Sequence, residues 1–164
     1  MDAVSSPRAR IVDTFGAVRR RVAVTSAFLL LAHGALGALF GTLLASIGEG
    51  GPSAMAVLGA LGAAGSAAWT FARLPDVAAG RLIERRFPEC RNVFITADEV
   101  LSGTLDVDDA AAERVFARAA ETLGRIDTSR VVAVGTSVAL SLAVAAASAV
   151  GIALIWRGAL STQH

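Results

Sequence analysis

Three long stretches of this sequence contain no Asp, Glu, Lys or Arg, and they constrain the fold more than any other feature. They are residues 22–47, 54–72 and 131–156, with 26, 19 and 26 residues. A helix needs roughly 20 apolar residues to cross the hydrocarbon core of a bilayer. The sequence therefore predicts an all-α integral membrane protein with three transmembrane helices.

The composition supports this class and narrows the functions. Hydrophobic residues make up 54% of the chain, charged residues 18%, and there is no Tyr. A soluble core of this size normally contains more aromatic residues, which fill volume efficiently. The net charge of +1 creates no overall field that would attract nucleic acid, so no nucleic-acid partner is predicted. The single cysteine, Cys90, excludes an internal disulfide and a CxxC site.

The arginines predict the orientation in the membrane. All fifteen basic residues are Arg: five lie in residues 1–21, nine in 73–130 and one in 157–164. The loop 48–53 has none and carries Glu49. Basic residues near span ends stay in the cytoplasm. We therefore expect a protein of the bacterial inner membrane, with the N-terminus and residues 73–130 in the cytoplasm and the loop and the C-terminus on the outer side. The alternation is consistent with three spans and inconsistent with two.

The predicted organisation has five parts. In chain order they are a basic cytoplasmic leader (1–21), a transmembrane helical hairpin (22–72), a cytoplasmic helical module (73–130), the third transmembrane helix (131–156) and a short outer tail (157–164). In the leader, Ile11, Phe15 and Val18 share one helical face. That spacing fits either a helix lying at the membrane interface or a frayed basic segment, and the sequence leaves both open.

Small residues on the predicted spans indicate where the helices pack. Lipid gives helices no hydrophobic reason to associate, so close backbone approach through small side chains matters. The predicted packing positions are Gly34, Gly37 and Gly41 in the first span, Gly59 and Gly62 in the second, and Ser137 and Ser141 in the third.

Residues 73–130 predict two or three short helices. An apolar run including Leu74, Val77 and Ile83 ends before Pro88, which stops a helix. A second run covers residues 93–101, and Gly103 breaks it. Asp106 or Asp108 can then cap a third helix, which ends near Gly124, and Asp127 or Thr128 can cap the third span. Because each cap has two candidate residues, the sequence leaves the first residue of each of these helices open.

One segment carries a family resemblance. Residues 82–92 read LIERRFPECRN and residues 95–101 read ITADEVL. The pattern resembles the N-terminal membrane module of a family of large, uncharacterised bacterial envelope proteins. There, two spans precede an IE-x-x-FPE/L-x-(R/N) segment and an (S/T)A-x-E-L segment, followed by a third span and a long extracytoplasmic region. The resemblance covers nearly the whole chain and implies architecture only, because that family has no agreed enzymatic activity.

The sequence contains three candidate sites, and each also has a simpler structural interpretation. His33, inside the first span, is a functional candidate because ionisable residues are rare in membranes; it can ligate a cofactor metal or simply pack between helices. Cys90, beside Arg91, is either a reactive thiol or a structural one. The acids Glu84, Glu89, Asp98 and Glu99 lack metal-site spacing, so solvated charges are favoured.

No active site is evident in the sequence, which favours a non-enzymatic role. The leading hypothesis is an accessory or scaffolding subunit of a larger bacterial membrane complex, of the energy-transducing (respiratory or photosynthetic) kind, with lipid and other membrane subunits as partners and no cofactor. One alternative is a cofactor-binding electron- or light-handling subunit using His33. The other is a small transporter or channel component, disfavoured because no span carries an acidic or basic residue.

Overall fold

The longest element is a helix that joins the predicted leader to the first predicted span. The structure is a computed structural model that describes residues 6–48, 51–72 and 78–161. Helix α1 runs without a break from Pro7 to Ile47, 41 residues. At 1.5 Å per residue it is about 60 Å long, roughly twice the hydrocarbon thickness of a bilayer. Only part of α1 can therefore lie in the membrane.

Two further helices are long and apolar enough to span a membrane. Helix α2 covers Pro52–Ala72, with proline at its first position, where the missing N–H costs nothing. After three short helices, described below, the last long helix, Val134–Ser161, forms a third candidate span. The prediction of an all-α membrane protein with three candidate spans is confirmed, and no strand occurs within the residues that the structure describes.

Several predictions fall on residues outside the described part of the chain. These are Glu49 in the predicted outer loop, Leu74 and Val77 at the start of the predicted module, and residues 162–164 of the predicted tail.

The chain divides into two units. The first, here called the polar unit, comprises residues 1–23 and 76–133, and the second, the span unit, comprises residues 24–75 and 134–164. The predicted boundary between leader and span, after residue 21, thus lies close to the division within α1. In contrast, the leader and the module, predicted as separate parts, belong to one unit.

Short helices with clear stop signals build the polar unit. Helix α3 (Ala79–Arg86) ends before a 3₁₀ turn, Pro88–Cys90. Helix α4 (Val93–Ser102) ends at Gly103, whose φ of 73° is the left-handed conformation that glycine adopts without cost. Helix α5 (Asp109–Leu123) is capped by Asp108, whose carboxylate accepts a 2.6 Å hydrogen bond from the Ala111 amide. The helix of residues 134–161 is labelled α6.

The start of the third span differs from the sequence prediction. Asp127 does act as a cap, since its carboxylate accepts a hydrogen bond from the Ser129 amide. That bond closes only a 3₁₀ turn, Thr128–Arg130, and α6 begins later, at Val134. The charged Arg130 therefore stays in the turn, which keeps it out of the apolar helix.

The core of the polar unit contains the apolar face of the leader. Ile11, Phe15 and Val18 are at most 2% exposed and pack in one cluster with Ile83 and Phe94. Protein side chains cover this face, whereas the sequence left it either at the membrane interface or frayed. The physical reason is that the short helices α3–α5 are too small to bury their apolar faces on one another alone.

Candidate functional site

In the span unit, helices α1 and α2 contact each other through their backbones at several of the predicted packing residues. A Cβ atom added at Gly37 would overlap the carbonyl group of Gly62, and one added at Gly62 would overlap the carbonyl of Gly37. One turn further along, a Cβ at Gly41 would overlap the carbonyl of Leu58. We call Gly37, Gly41, Leu58 and Gly62 the glycine interface. Only glycine permits this approach at its three glycine positions.

The neighbouring predicted positions differ in their roles. A Cβ at Gly59 would lie 2.8 Å from the hydroxyl of Thr42, a buried side chain that is 3% exposed. Gly59 therefore lies beside the glycine interface, as the sequence predicts. Gly34 does not, because a Cβ there would have no neighbouring heavy atom within 4 Å. Its position relative to Gly37 and Gly41, three and seven residues away, predicts a shared face, but a Cβ at Gly34 meets no atom of α2, although the adjacent carbonyl of His33 is hydrogen-bonded to Ser66.

The third span contributes buried hydroxyls. Ser141 and Ser148 are 6% and 1% exposed, and Ser137 is half-buried. Gly151, which the sequence analysis did not single out, packs against Leu39 of α1, whose Cδ1 would lie 3.0 Å from a Cβ at that position. The spacing of Gly151 from Ser148 and Ser141 was the signal that could have identified it. The small residues of α6 are thus packing positions in the span unit.

The side chain of His33 contacts its own helix, and its backbone carbonyl contacts α2. Its Nδ1 lies 2.8 Å from the carbonyl oxygen of Leu29, and its own carbonyl accepts a 2.7 Å hydrogen bond from the Ser66 hydroxyl. Because a carbonyl can only accept, Nδ1 is the nitrogen that donates to Leu29, and in the neutral form of the ring the lone pair is then on Nε2. Nε2 is therefore the atom through which this side chain could accept a hydrogen bond or ligate a metal.

Two buried carboxylates hold the short helices of the polar unit together. Glu84, on α3, accepts a 2.9 Å hydrogen bond from the amide of Phe94 at the start of α4. Asp98, on α4, accepts a 3.1 Å bond from the amide of Gly80 and pairs with Arg19 of α1 at 3.0 Å. Both residues are less than 10% exposed. They satisfy helix amides that have no partner within their own helices.

This bonding gives Glu84 and Asp98 structural roles in the resemblance motif. Gly80 allows the approach, since a Cβ there would overlap the carbonyl of Phe94. The sequence favoured solvated charges for the acids of this region, and that interpretation is wrong for Glu84 and Asp98, although Glu89 is exposed. The i to i+14 spacing of the two acids gave no sign of it, because the hairpin between α3 and α4 brings them together. Among the described residues, no three His, Cys, Asp or Glu side chains are grouped to hold a metal ion.

Cys90 lies in the core and not in a reactive setting. It is 4% exposed, at the end of the Pro88–Cys90 turn. Burial raises the pKa of its thiol, and the nearby carboxylates Glu84 and Glu89 raise it further. The sequence alone allowed Arg91 to lower the pKa of this thiol. The pKa is raised instead, because burial and the two carboxylates disfavour the thiolate.

We expect Cys90 to react slowly with iodoacetamide at pH 8 in the folded protein and quickly after denaturation. The thiolate is the reactive form, and both the raised pKa and the burial suppress it. The raised pKa also means that the thiol stabilises the fold below its unfolded pKa, and that this contribution is lost as pH rises toward the folded pKa. Intact-mass measurement of alkylation against time, with and without denaturant, checks the prediction. Equal rates in the two conditions would contradict it.

Comparison of the chain with protein-family models, with curated proteins and with solved structures found no match.

Proposed function

We propose that the protein is a non-catalytic scaffold of a bacterial inner membrane, which anchors its polar unit on the cytoplasmic side and assembles with other membrane subunits. One observation carries the proposal. The unbroken helix α1 supplies core side chains to the polar unit, including Phe15, and backbone contacts to the span unit at Gly37 and Gly41. A shared structural helix suits an anchor better than it suits a tethered soluble enzyme.

The packing of the span unit supports anchoring over transport. The contacts between α1 and α2 are made by backbone atoms at the glycine interface, which leaves no lumen at those positions. Large apolar side chains, among them Phe40, Leu61 and Leu154, are more than 60% exposed. Such side chains face lipid or neighbouring helices in a membrane protein. The proposed setting is a complex of the energy-transducing kind.

Two measurements test the proposal. With the N-terminus inside, a C-terminal alkaline phosphatase fusion should be active and a C-terminal green fluorescent fusion dark. The reverse pattern would mean an even number of spans, with residues 54–72 the segment that does not cross.

The second measurement addresses assembly. Solubilised in mild detergent, the tagged protein should migrate as a heteromeric species on a native gel, with defined partner subunits in constant ratio. Photocrosslinkers placed at the exposed Phe40 and Leu154 should capture those subunits, while one at the buried Phe15 should not. A protein that crosslinks only to itself, or not at all, in native membranes would refute the scaffold role.

A further inference from the structure

A groove on the polar unit lies between the start of α4 and one face of α5. It has a volume of about 380 Å³, within the size range of small-molecule sites. Its lining residues come from two helices and the turn before α4; they are Arg91, Asn92, Val93, Thr96, Ala111, Arg114, Val115 and Arg118. We call this feature the arginine groove. It is distinct from the buried core and from the glycine interface.

The side chains of three arginines line the arginine groove, and no acidic residue does. Arg114 and Arg118 are one turn apart on α5, and Arg91 faces them from the turn before α4. Within the described residues, Arg91 and Arg114 form no salt bridge; Arg118 has a long, 3.9 Å contact with Glu121, a carboxylate that also pairs with Arg125. Among the described residues, Arg91 and Arg114 thus have no ion-pair partner within 4 Å, and Arg118 has only the long contact with Glu121.

At the groove, Arg91 has a left-handed backbone conformation that glycine would adopt without strain. Arg91 has φ 52° and the next residue, Asn92, has φ 67°, so both are left-handed. Residues other than glycine, asparagine and aspartate rarely adopt this backbone conformation. An arginine that keeps an unfavourable backbone conformation at a charged groove points to a use for its guanidinium.

The remaining lining residues are of two kinds. Val93, Ala111 and Val115 form an apolar floor. Asn92 precedes α4 but its side chain makes no capping hydrogen bond, so the amide group is not committed to the helix. The groove thus combines a cationic rim with apolar surface and a polar amide, which is the pattern of a site that takes an anionic group attached to a less polar body.

We propose that the arginine groove binds a phosphate group carried by a small molecule or by a lipid. Guanidinium groups bind phosphate oxygens through paired, charge-assisted hydrogen bonds, and three of them match the charge of a phosphate monoester or of two linked phosphates. A carboxylate ligand would leave most of that positive charge unneutralised. The binding goes beyond the scaffold role and does not depend on it.

The experiment uses the full chain in dodecyl maltoside and two probes. Inorganic pyrophosphate, titrated calorimetrically, stands for a soluble phosphate. Phosphatidic acid, whose headgroup is a phosphate monoester, is compared with phosphatidylcholine, counted by native mass spectrometry, and stands for a lipid headgroup. The test variant is Arg91→Gln/Arg114→Gln/Arg118→Gln. The matched control, Arg85→Gln/Arg86→Gln/Arg125→Gln, removes the same charge from exposed arginines outside the groove.

We expect the wild type and the control to bind and the groove variant to lose binding by at least 100-fold, since each hydrogen-bonded charge contributes roughly tenfold. Loss of binding with pyrophosphate identifies a soluble phosphate, and loss of binding with phosphatidic acid alone identifies a lipid headgroup. The proposal is overturned if the wild type binds neither probe, or if both triple variants lose binding equally, because the attraction is then only the net charge.

A single substitution separates binding from folding. Arg91→Gly removes one guanidinium and relaxes the left-handed backbone, so its melting temperature should not fall. We expect its affinity for the bound probe to drop about tenfold. Unchanged affinity in both Arg91→Gly and Arg114→Gln would also overturn the proposal.

Discussion

Replacing Gly37 and Gly41 together by leucine is expected to disrupt the hairpin of α1 and α2 and to destabilise the protein by roughly 3 kcal/mol or more. At both positions a Cβ overlaps a backbone carbonyl of α2, at Gly62 and at Leu58. A backbone atom cannot rotate away as a side chain does, so the helices must separate. The separation also removes the hydrogen bond from the Ser66 hydroxyl to the carbonyl of His33.

Thermal unfolding in mild detergent, followed through the fluorescence of Trp69 and Trp156, measures this effect. Gly34→Leu is the matched control, because it makes the same change on the same helix where no heavy atom lies within 4 Å of the added Cβ. The double variant should melt well below the wild type and the control close to it. Similar melting of all three proteins would show that the glycine interface does not hold the hairpin.

Replacing Phe94 by alanine is expected to unfold the polar unit, with a loss of about 3–5 kcal/mol. The side chain is fully buried in the core with Ile83 and Phe15, and its backbone amide is bonded to Glu84. A core of this small size supplies only about that much net stability. The cavity left by the ring therefore removes most of what holds α3 and α4 in place.

Limited trypsin digestion tests this prediction directly, because the chain has no Lys and each cut identifies an Arg. Cleavage at Arg85, Arg86 and Arg91 should accelerate in Phe94→Ala. Phe71→Ala is the control, since that ring is 69% exposed in the span unit. Protection of the same arginines in Phe94→Ala would mean that the core relaxes to fill the cavity.

The two variants also separate the parts of the scaffold proposal. The glycine double variant acts on the span unit and Phe94→Ala acts on the polar unit. If partner subunits are lost in only one of them, the unit that they contact is identified. If neither variant changes the native-gel species, the assembly does not depend on the packing of either unit. That result would contradict the scaffold role.

Composition and local patterns were sufficient for the helical class and the spans. A run of about 20 uncharged residues has one stable solution in lipid, a helix that bonds all its own backbone groups. Local signals also fixed several helix ends, because Gly103 and Asp108 act on their immediate neighbours. The glycine positions 37, 41, 59 and 62 were predicted as well, since close packing in a membrane requires small residues.

Only the tertiary structure decided which faces meet. Gly34 shares the spacing of Gly37, but a Cβ there meets no heavy atom within 4 Å, because only some positions on one helix point at the neighbouring helix. The sequence predicts a separate leader, yet Ile11, Phe15 and Val18 complete the core of a unit whose other part, residues 76–133, begins more than 50 residues later. The same folding brings Asp98 to Arg19 and Arg91 to Arg114. Sequence spacing describes neighbours along one helix, whereas contacts between helices depend on how the connecting turns bring them together.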